Sequence, residues 1–178
     1  LCVEAGLPPG VLNIIHGYGH TVGAAIVSHK KIPIISFPGG TKTGEDISRI
    51  AAPMFKKLSL ELGGKNPNII FADCDFDHAL NTTIKSSFSN QGEICLCGSR
   101  IFIEKPIYEK FKNALIEKTK ALKVGDPNDE NNFMGAIVSK LHFEKILSYI
   151  DLAKEEGGEI LTGGKSISLK DDLKNGWY

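Results

Sequence analysis

The chain has 178 residues, enough for one medium-sized domain or for parts of two. Its 21 Lys and Arg residues balance 21 Asp and Glu residues, so no excess of charge points to a nucleic acid or an anionic membrane as a partner. No apolar run approaches the roughly 18–20 residues that a membrane-spanning helix needs, so we expect no membrane partner.

The first part of the chain alternates strand and helix patterns. Short apolar runs between turn residues predict buried strands over residues 11–17 and 32–37. Small or periodically spaced apolar residues predict helices over residues 20–28 and 42–52. This order is typical of the α/β class, in which helices cover the faces of a parallel sheet.

A new set of elements follows Gly63 and Gly64, and we place a domain boundary there. Residues 1–62 are predicted to form one domain and residues 63–178 to belong to the next. Predicted elements of the second part are strands over 68–72, 99–104 and 159–161 and helices that begin at Asp75, Pro106 and Ser139, with Asp75 and Ser139 as N-caps. Gly92 is predicted to stop the first of these helices.

Four cysteines and five histidines are scattered along the chain. Cys95 and Cys97 lack the two-residue gap of zinc or thioredoxin motifs, and no second pair matches them. We therefore expect no metal site, no disulfide framework, and a reduced protein of cytoplasmic type.

A glycine-containing turn, residues 37–44, joins a predicted strand to a predicted helix. Gly39, Gly40 and Gly44 would let a phosphate approach the backbone N–H groups at the helix N-terminus. The segment has neither the G-x-G-x-x-G nor the Walker A pattern. On its own it fits an ordinary turn that needs glycine at least as well.

Glu61 lies in a run of strict alternation that predicts a strand over residues 57–62. The leucines of this strand share one face, while Ser59 and Glu61 lie on the other. A carboxylate at a strand end, before two glycines, has the position of a general base in a cleft. A solvated or ion-paired glutamate explains the same residues.

Cys95 is predicted to lie in a loop, residues 93–98, between a helix and a strand. A catalytic thiol needs access and a stabilised thiolate, and Ile94 and Leu96 would form the walls of a dry pocket around it. The alternative is that Cys95 is a small hydrophobic residue packed under the loop. For the neighbouring Cys97, the two readings are a bystander and an oxidation partner.

Three segments, taken together and in this order, resemble the aldehyde dehydrogenase superfamily. They are EAGLPPGVLN at residues 4–13, LELGGKNP at 60–67 and NQGEIC at 90–95. Cys95 follows Glu61 by 34 residues (95 − 61), which fits the family's spacing between base and nucleophile. Similarity extends over essentially the whole chain.

The resemblance implies an NAD-dependent oxidation of an aldehyde to an acid, with NADP as a possible replacement for NAD. It implies the end of a Rossmann-like cofactor-binding domain followed by most of an α/β catalytic domain with a parallel sheet. Cys95 would be the nucleophile and Glu61 the base that activates water. The residues expected to bind the cofactor are Gly39, Gly40, Gly44, Leu62 and Gly63.

The resemblance also carries further expectations. A complete protein would be a homodimer or homotetramer acting on a small-molecule aldehyde, and the segments around Glu61 and Cys95 most resemble family members that oxidise a small dicarboxylate-type semialdehyde. The hydroxyl that the family commonly supplies to phosphate is missing at Gly40. Other family residues lie outside the chain, so we expect a fragment that is inactive alone. The alternatives are a non-catalytic nucleotide- or protein-binding domain of the same fold and a redox sensor using Cys95 and Cys97.

Overall fold

The structure, a computed structural model, describes residues 1–178, and the chain divides into two units. The first unit is Leu1–Gly63 and the second is Gly64–Tyr178. Each unit contains helices packed on a pair of parallel strands, so the predicted α/β class is confirmed. The roles of residues 1–62 and 63–178 as cofactor-binding and catalytic domains stay a prediction. No helix is both long and apolar enough to cross a lipid bilayer.

The first unit is built on two parallel strands, β1 (Ile34–Gly39) and β2 (Lys57–Leu62). Helix α1 (Ala24–Ser28) and helix α2 (Thr41–Ala51) complete it. The fully or nearly buried side chains are Val27, Ile35, Ile47 and Ala51, against which Ile32, Phe37, Leu58 and Leu60 pack. This core confirms the predicted alternation of β2, because Leu58 and Leu60 face it while Ser59 and Glu61 are exposed.

The prediction of a strand over residues 11–17 is wrong. These residues form neither strand nor helix, and all of them are exposed. A strand exists only where its N–H and C=O groups meet those of a neighbour. Since β1 and β2 pair with each other alone, the apolar side chains of Val11, Leu12, Ile14 and Ile15 have no sheet to join.

The second unit has its own parallel pair, β3 (Pro67–Ile70) and β4 (Arg100–Ile103). Helices α3 (Phe76–Phe88) and α4 (Tyr108–Lys120) pack on it, and α5 (Lys140–Glu155) follows. The core residues are Ile70, Leu80 and Phe111, with Phe76 edge-on to Phe111 at 5.5 Å between ring centroids.

Local signals located the helix starts of the second unit. The Asp75 carboxylate accepts the His78 N–H at 3.1 Å, and the Ser139 hydroxyl oxygen accepts the His142 N–H at 3.3 Å, so both predicted N-caps are confirmed.

Three details of the second unit differ from the sequence prediction. Pro106 lies in a 3₁₀ turn, Lys105–Ile107, and α4 begins only at Tyr108. Helix α3 ends at Phe88, before Gly92, because the backbone leaves the right-handed helical region at Asn90 and Gln91. Residues 159–161 form no strand, since no neighbouring strand lies beside them.

Phe111 is the side chain on which the second unit most depends, because it is the largest with no solvent exposure. We expect Phe111→Ala to lower the free energy of unfolding by ~3–5 kcal/mol, from lost apolar burial and the cavity left behind. Urea unfolding followed by circular dichroism measures this change. The matched control is Tyr108→Ala on the same helix, which removes a side chain that is 44% exposed and should cost much less. Equal losses in the two variants would contradict this account of the core.

Candidate active site residues

In the first unit, the predicted base and cofactor-binding residues meet at the carboxyl ends of β1 and β2. The parallel register pairs Pro38 with Glu61 and Gly39 with Leu62. The Gly63 N–H donates to the Gly39 carbonyl at 3.2 Å, which continues the ladder one residue further. Ligands of open parallel sheets bind at this edge, and the exposed Glu61 side chain lies on it.

Helix α2 begins immediately after β1, with Gly40 as its N-cap. Gly40 has no side chain that could satisfy the N–H groups of the first turn, and no acidic residue occupies that turn. Open space surrounds Gly40 on the side where a Cβ would project. Unsatisfied N–H groups and the positive end of the helix dipole favour an anion at this position, and the residues here fit a phosphate group.

Gly44 brings the first turn of α2 close to the end of β2. A Cβ at Gly44 would lie 2.7 Å from Leu62 Cδ2, which is closer than carbon atoms approach in folded proteins. Gly44 is buried, while Leu62 remains 37% exposed. The absence of a side chain at residue 44 therefore allows the end of the Leu62 side chain to occupy its position.

In the second unit, Cys95 lies on a four-residue turn, residues 94–97, which we call the Cys95 turn. The Cys97 N–H donates to the Ile94 carbonyl at 2.9 Å and closes it. The Cys95 thiol is exposed, and the Cys95 N–H donates to no acceptor within the protein. A reachable thiol and a free N–H on the same residue are what a covalent nucleophile with an oxyanion donor requires.

The segment that leads into the Cys95 turn has an unusual backbone. Asn90, Gln91 and Gly92 have positive φ values of 50°, 57° and 76°. Only Gly92 adopts this left-handed region freely, and each of the others costs about 1–2 kcal/mol. The Gln91 side chain donates to the Ala136 carbonyl at 3.1 Å, a contact that helps to hold this conformation.

Side chains from elsewhere in the second unit hold the Cys95 turn in place. The Asn66 amide nitrogen donates to the Cys95 carbonyl at 2.8 Å and to the Cys97 carbonyl at 3.3 Å. Glu93, two residues before Cys95, pairs with the His142 ring at 2.9 Å. Sequence reasoning missed Asn66 and His142, because their partners are distant in the chain and follow no local spacing.

The two neighbouring cysteines have different surroundings. Cys97 is buried, and its thiol donates to the Ser87 carbonyl at 3.5 Å, whereas Cys95 is exposed. This favours Cys97 as a packing residue over its use as a partner in oxidation.

Ile94 and Leu96, expected to wall a pocket around the Cys95 sulfur, leave the thiol exposed. Ile94 and Leu96 instead line a groove of about 310 Å³ together with Cys97 and residues of α3, and Cys95 is not among its lining residues. Leu96 is 79% exposed, so it does not shield the thiol. The predicted site residues thus fall into two groups, one in each unit: Glu61 with the glycines and Leu62, and Cys95 with its turn. No group of three or more His, Cys, Asp or Glu side chains is arranged to hold a metal ion.

Comparison with known proteins establishes the family to which this fold and these residues belong. A family model described as "Aldehyde dehydrogenase family" matches residues 1–178. The chain belongs to the aldehyde dehydrogenase family.

Individual relatives are similar over nearly the whole chain. The 2-aminomuconic semialdehyde dehydrogenase of Mus musculus is 51% identical over 172 residues, which are 97% of this chain and 35% of the relative. Betaine aldehyde dehydrogenase from Staphylococcus aureus, solved in complex with NAD+, is 43% identical with a TM-score of 0.92, over 99% of this chain and 35% of that one. HpcC from Thermus thermophilus is 38% identical with a TM-score of 0.93, again over 99% and 35%. The chain therefore spans about a third of the length of these relatives.

Proposed function

We propose that this chain supplies the nucleophile and the general base of an NAD-dependent aldehyde dehydrogenase, which oxidises an aldehyde to a carboxylic acid. The observation that carries the proposal is the exposed Cys95 thiol, on a turn held by hydrogen bonds, in a member of this family. In this proposal residues 1–62 belong to the cofactor-binding domain and residues 63–178 to the catalytic domain.

Cys95 performs the covalent chemistry. Its thiolate attacks the aldehyde carbon, and a carbon–sulfur bond forms as the carbonyl π electrons move to oxygen, which gives a thiohemiacetal. The free Cys95 N–H stabilises the developing oxyanion. Loss of hydride from this adduct leaves a thioester on Cys95.

The first unit binds the cofactor. The N–H groups at the start of α2 and the backbone of Gly39 and Gly40 would hold its pyrophosphate, and Leu62 and Gly63 would contact its nicotinamide ring. Supporting this, the Staphylococcus aureus relative was solved with NAD+. The bound nicotinamide supplies the hydride acceptor of the reaction.

Glu61 completes the cycle by releasing the acid. Its carboxylate takes a proton from water as the water oxygen attacks the thioester carbon, and the Cys95 thiolate leaves. The exposed position of Glu61, at the sheet edge and away from the leucine face of β2, gives water access to the carboxylate.

The proposed substrate is a small carboxylate-bearing semialdehyde such as 2-aminomuconic semialdehyde. This rests on the similarity to the relative from Mus musculus. The proposed assembly of the complete protein, a homodimer or homotetramer, rests on the family resemblance alone. The test is NADH formation by a polypeptide of the relatives' full length that carries this chain, given NAD+ and either this semialdehyde, betaine aldehyde or a simple aliphatic aldehyde. We expect the highest kcat/KM for the semialdehyde. Failure to form NADH with all three would overturn the proposed activity, and a preference for another aldehyde would overturn only the substrate assignment.

Gly44 provides a test of the cofactor site that does not require turnover. We expect Gly44→Ala to displace the end of Leu62 and to weaken NAD+ binding about fivefold, or ~1 kcal/mol. Helix stability gains up to about 1 kcal/mol from the same change, so the melting temperature should move little. Calorimetric titration with NAD+ measures the affinity. The control is Gly23→Ala in the same unit, because nothing lies within 4 Å of a Cβ at Gly23. Equal NAD+ affinities for the two variants would contradict the role given to Leu62.

A further inference from the structure

Asn66 connects the start of β3 to the Cys95 turn. Its main-chain carbonyl accepts the Arg100 N–H at 3.1 Å, which anchors the residue beside the beginning of β4. Its side chain reaches the turn, and its amide nitrogen donates hydrogen bonds to the carbonyls of Cys95 and Cys97. Both partners are acceptors only, so the amide nitrogen, not the amide oxygen, must face them.

The direction of the Cys95 carbonyl determines the backbone conformation at the centre of this turn. This direction fixes the torsion angle ψ of Cys95, and so fixes how the thiol is oriented relative to the peptide that follows. Within the turn, the bond from the Cys97 N–H to the Ile94 carbonyl closes the ring but leaves the central peptide between Cys95 and Leu96 free to rotate. The Asn66 amide is bonded to that peptide.

We propose that Asn66 is a positioning residue for the nucleophile: its side-chain amide locks the Cys95–Leu96 peptide so that the thiol and the Cys95 N–H keep one relative orientation. This role rests on the proposed function of Cys95. Misplacement of a reacting group by about 1 Å can cost 10²-fold in rate. Loss of the Asn66 donor therefore slows the formation of the thioester and leaves the thiol itself chemically intact.

Two variants distinguish the effect of the hydrogen bonds from the effect of the volume that the side chain fills. Asn66→Ala removes both, whereas Asn66→Asp keeps the shape and places a carboxylate oxygen against two carbonyl oxygens. The matched control is Asn68→Ala, two residues further along, where the amide donates to Thr83 Oγ1 at 3.0 Å and does not contact the turn. The three variants and the parent are made in a polypeptide of the relatives' full length, together with Cys95→Ala.

The measurements are the rate of the first NADH turnover, the rate of Cys95 alkylation by iodoacetamide, and hydrogen exchange at the Cys97 N–H. We expect both Asn66 variants to lose about 10- to 100-fold in the first turnover and to exchange the Cys97 N–H faster. Alkylation should change less than about threefold, because the thiol is already exposed. Asn68→Ala should lower the melting temperature yet keep the parent's rate of first turnover.

The outcomes distinguish a failure of the positioning role from a failure of the proposed function. If Cys95→Ala is inactive while both Asn66 variants turn over at the parent rate, the positioning role is overturned and the nucleophile stands. If Asn66→Asp is as active as the parent and only Asn66→Ala is slow, the side chain acts by filling space, and the role is again overturned. If Cys95→Ala retains full activity, the proposed function itself fails. Faster exchange at the Cys97 N–H in Asn66→Asp supports the role in a measurement that needs no cofactor.

Discussion

Cys95→Ala should abolish steady NADH formation in a polypeptide of the relatives' full length, with kcat falling by at least about 10⁴-fold. Alanine lacks the sulfur that is proposed to form the thiohemiacetal and the thioester, so no oxyanion forms for the backbone N–H of residue 95 to stabilise. Stopped-flow absorbance should show no initial NADH burst either, because the loss precedes hydride transfer. Binding of NAD+ should be unchanged, since the residues proposed to hold the cofactor belong to the first unit.

Cys97→Ala is the matched control, because it removes the same group two residues away. The Cys97 thiol is buried and donates to the Ser87 carbonyl, so its loss should lower stability by ~1 kcal/mol and change kcat less than about threefold. Turnover by Cys95→Ala at the parent rate would defeat the proposed mechanism. A folded Cys97→Ala variant as inactive as Cys95→Ala would show that the chemistry had been assigned to the wrong sulfur.

Local features of the sequence were sufficient to predict much of the fold. Asp75 and Ser139 located two helix starts, because an N-cap satisfies N–H groups only a few residues away. The alternation of residues 57–62 correctly predicted β2 and the face that Leu58 and Leu60 bury. These signals depend on interactions within one element or with the sheet directly beside it.

Features that depend on distant partners could not be predicted in the same way. Residues 11–17 have a strand's composition, yet a strand needs a neighbour that composition cannot supply. The same applies to the site. Motifs indicated Cys95 and Glu61 as chemical groups, but the contact from Asn66 to the Cys95 carbonyl spans 29 residues and follows no periodic spacing. The contacts that hold the proposed nucleophile are therefore less visible in the sequence than the cysteine itself.

Glu61→Gln should separate the two halves of the proposed reaction. The amide keeps the size of the carboxylate but cannot take a proton from water, so the thioester forms at close to the parent rate and then accumulates. We expect a burst of up to one NADH per active site, followed by a steady rate about 10²- to 10³-fold below the parent, within the usual contribution of a general base. Quenched samples analysed by mass spectrometry should show the acyl group on Cys95.

Two additional measurements identify the cause of a slow Glu61→Gln variant. Hydroxylamine attacks thioesters without a general base, so adding it should restore most of the steady rate if deacylation alone is impaired. Glu45→Gln makes the same chemical change on α2 of the same unit, where the carboxylate pairs with Arg49 and Lys42 on the surface, and it should keep full turnover. A Glu61→Gln variant with the parent's steady rate, or one that shows no burst and no response to hydroxylamine, would remove Glu61 from the role of water-activating base. The first result would mean that another residue acts as the base. The second would mean that the variant is defective in a step before thioester formation.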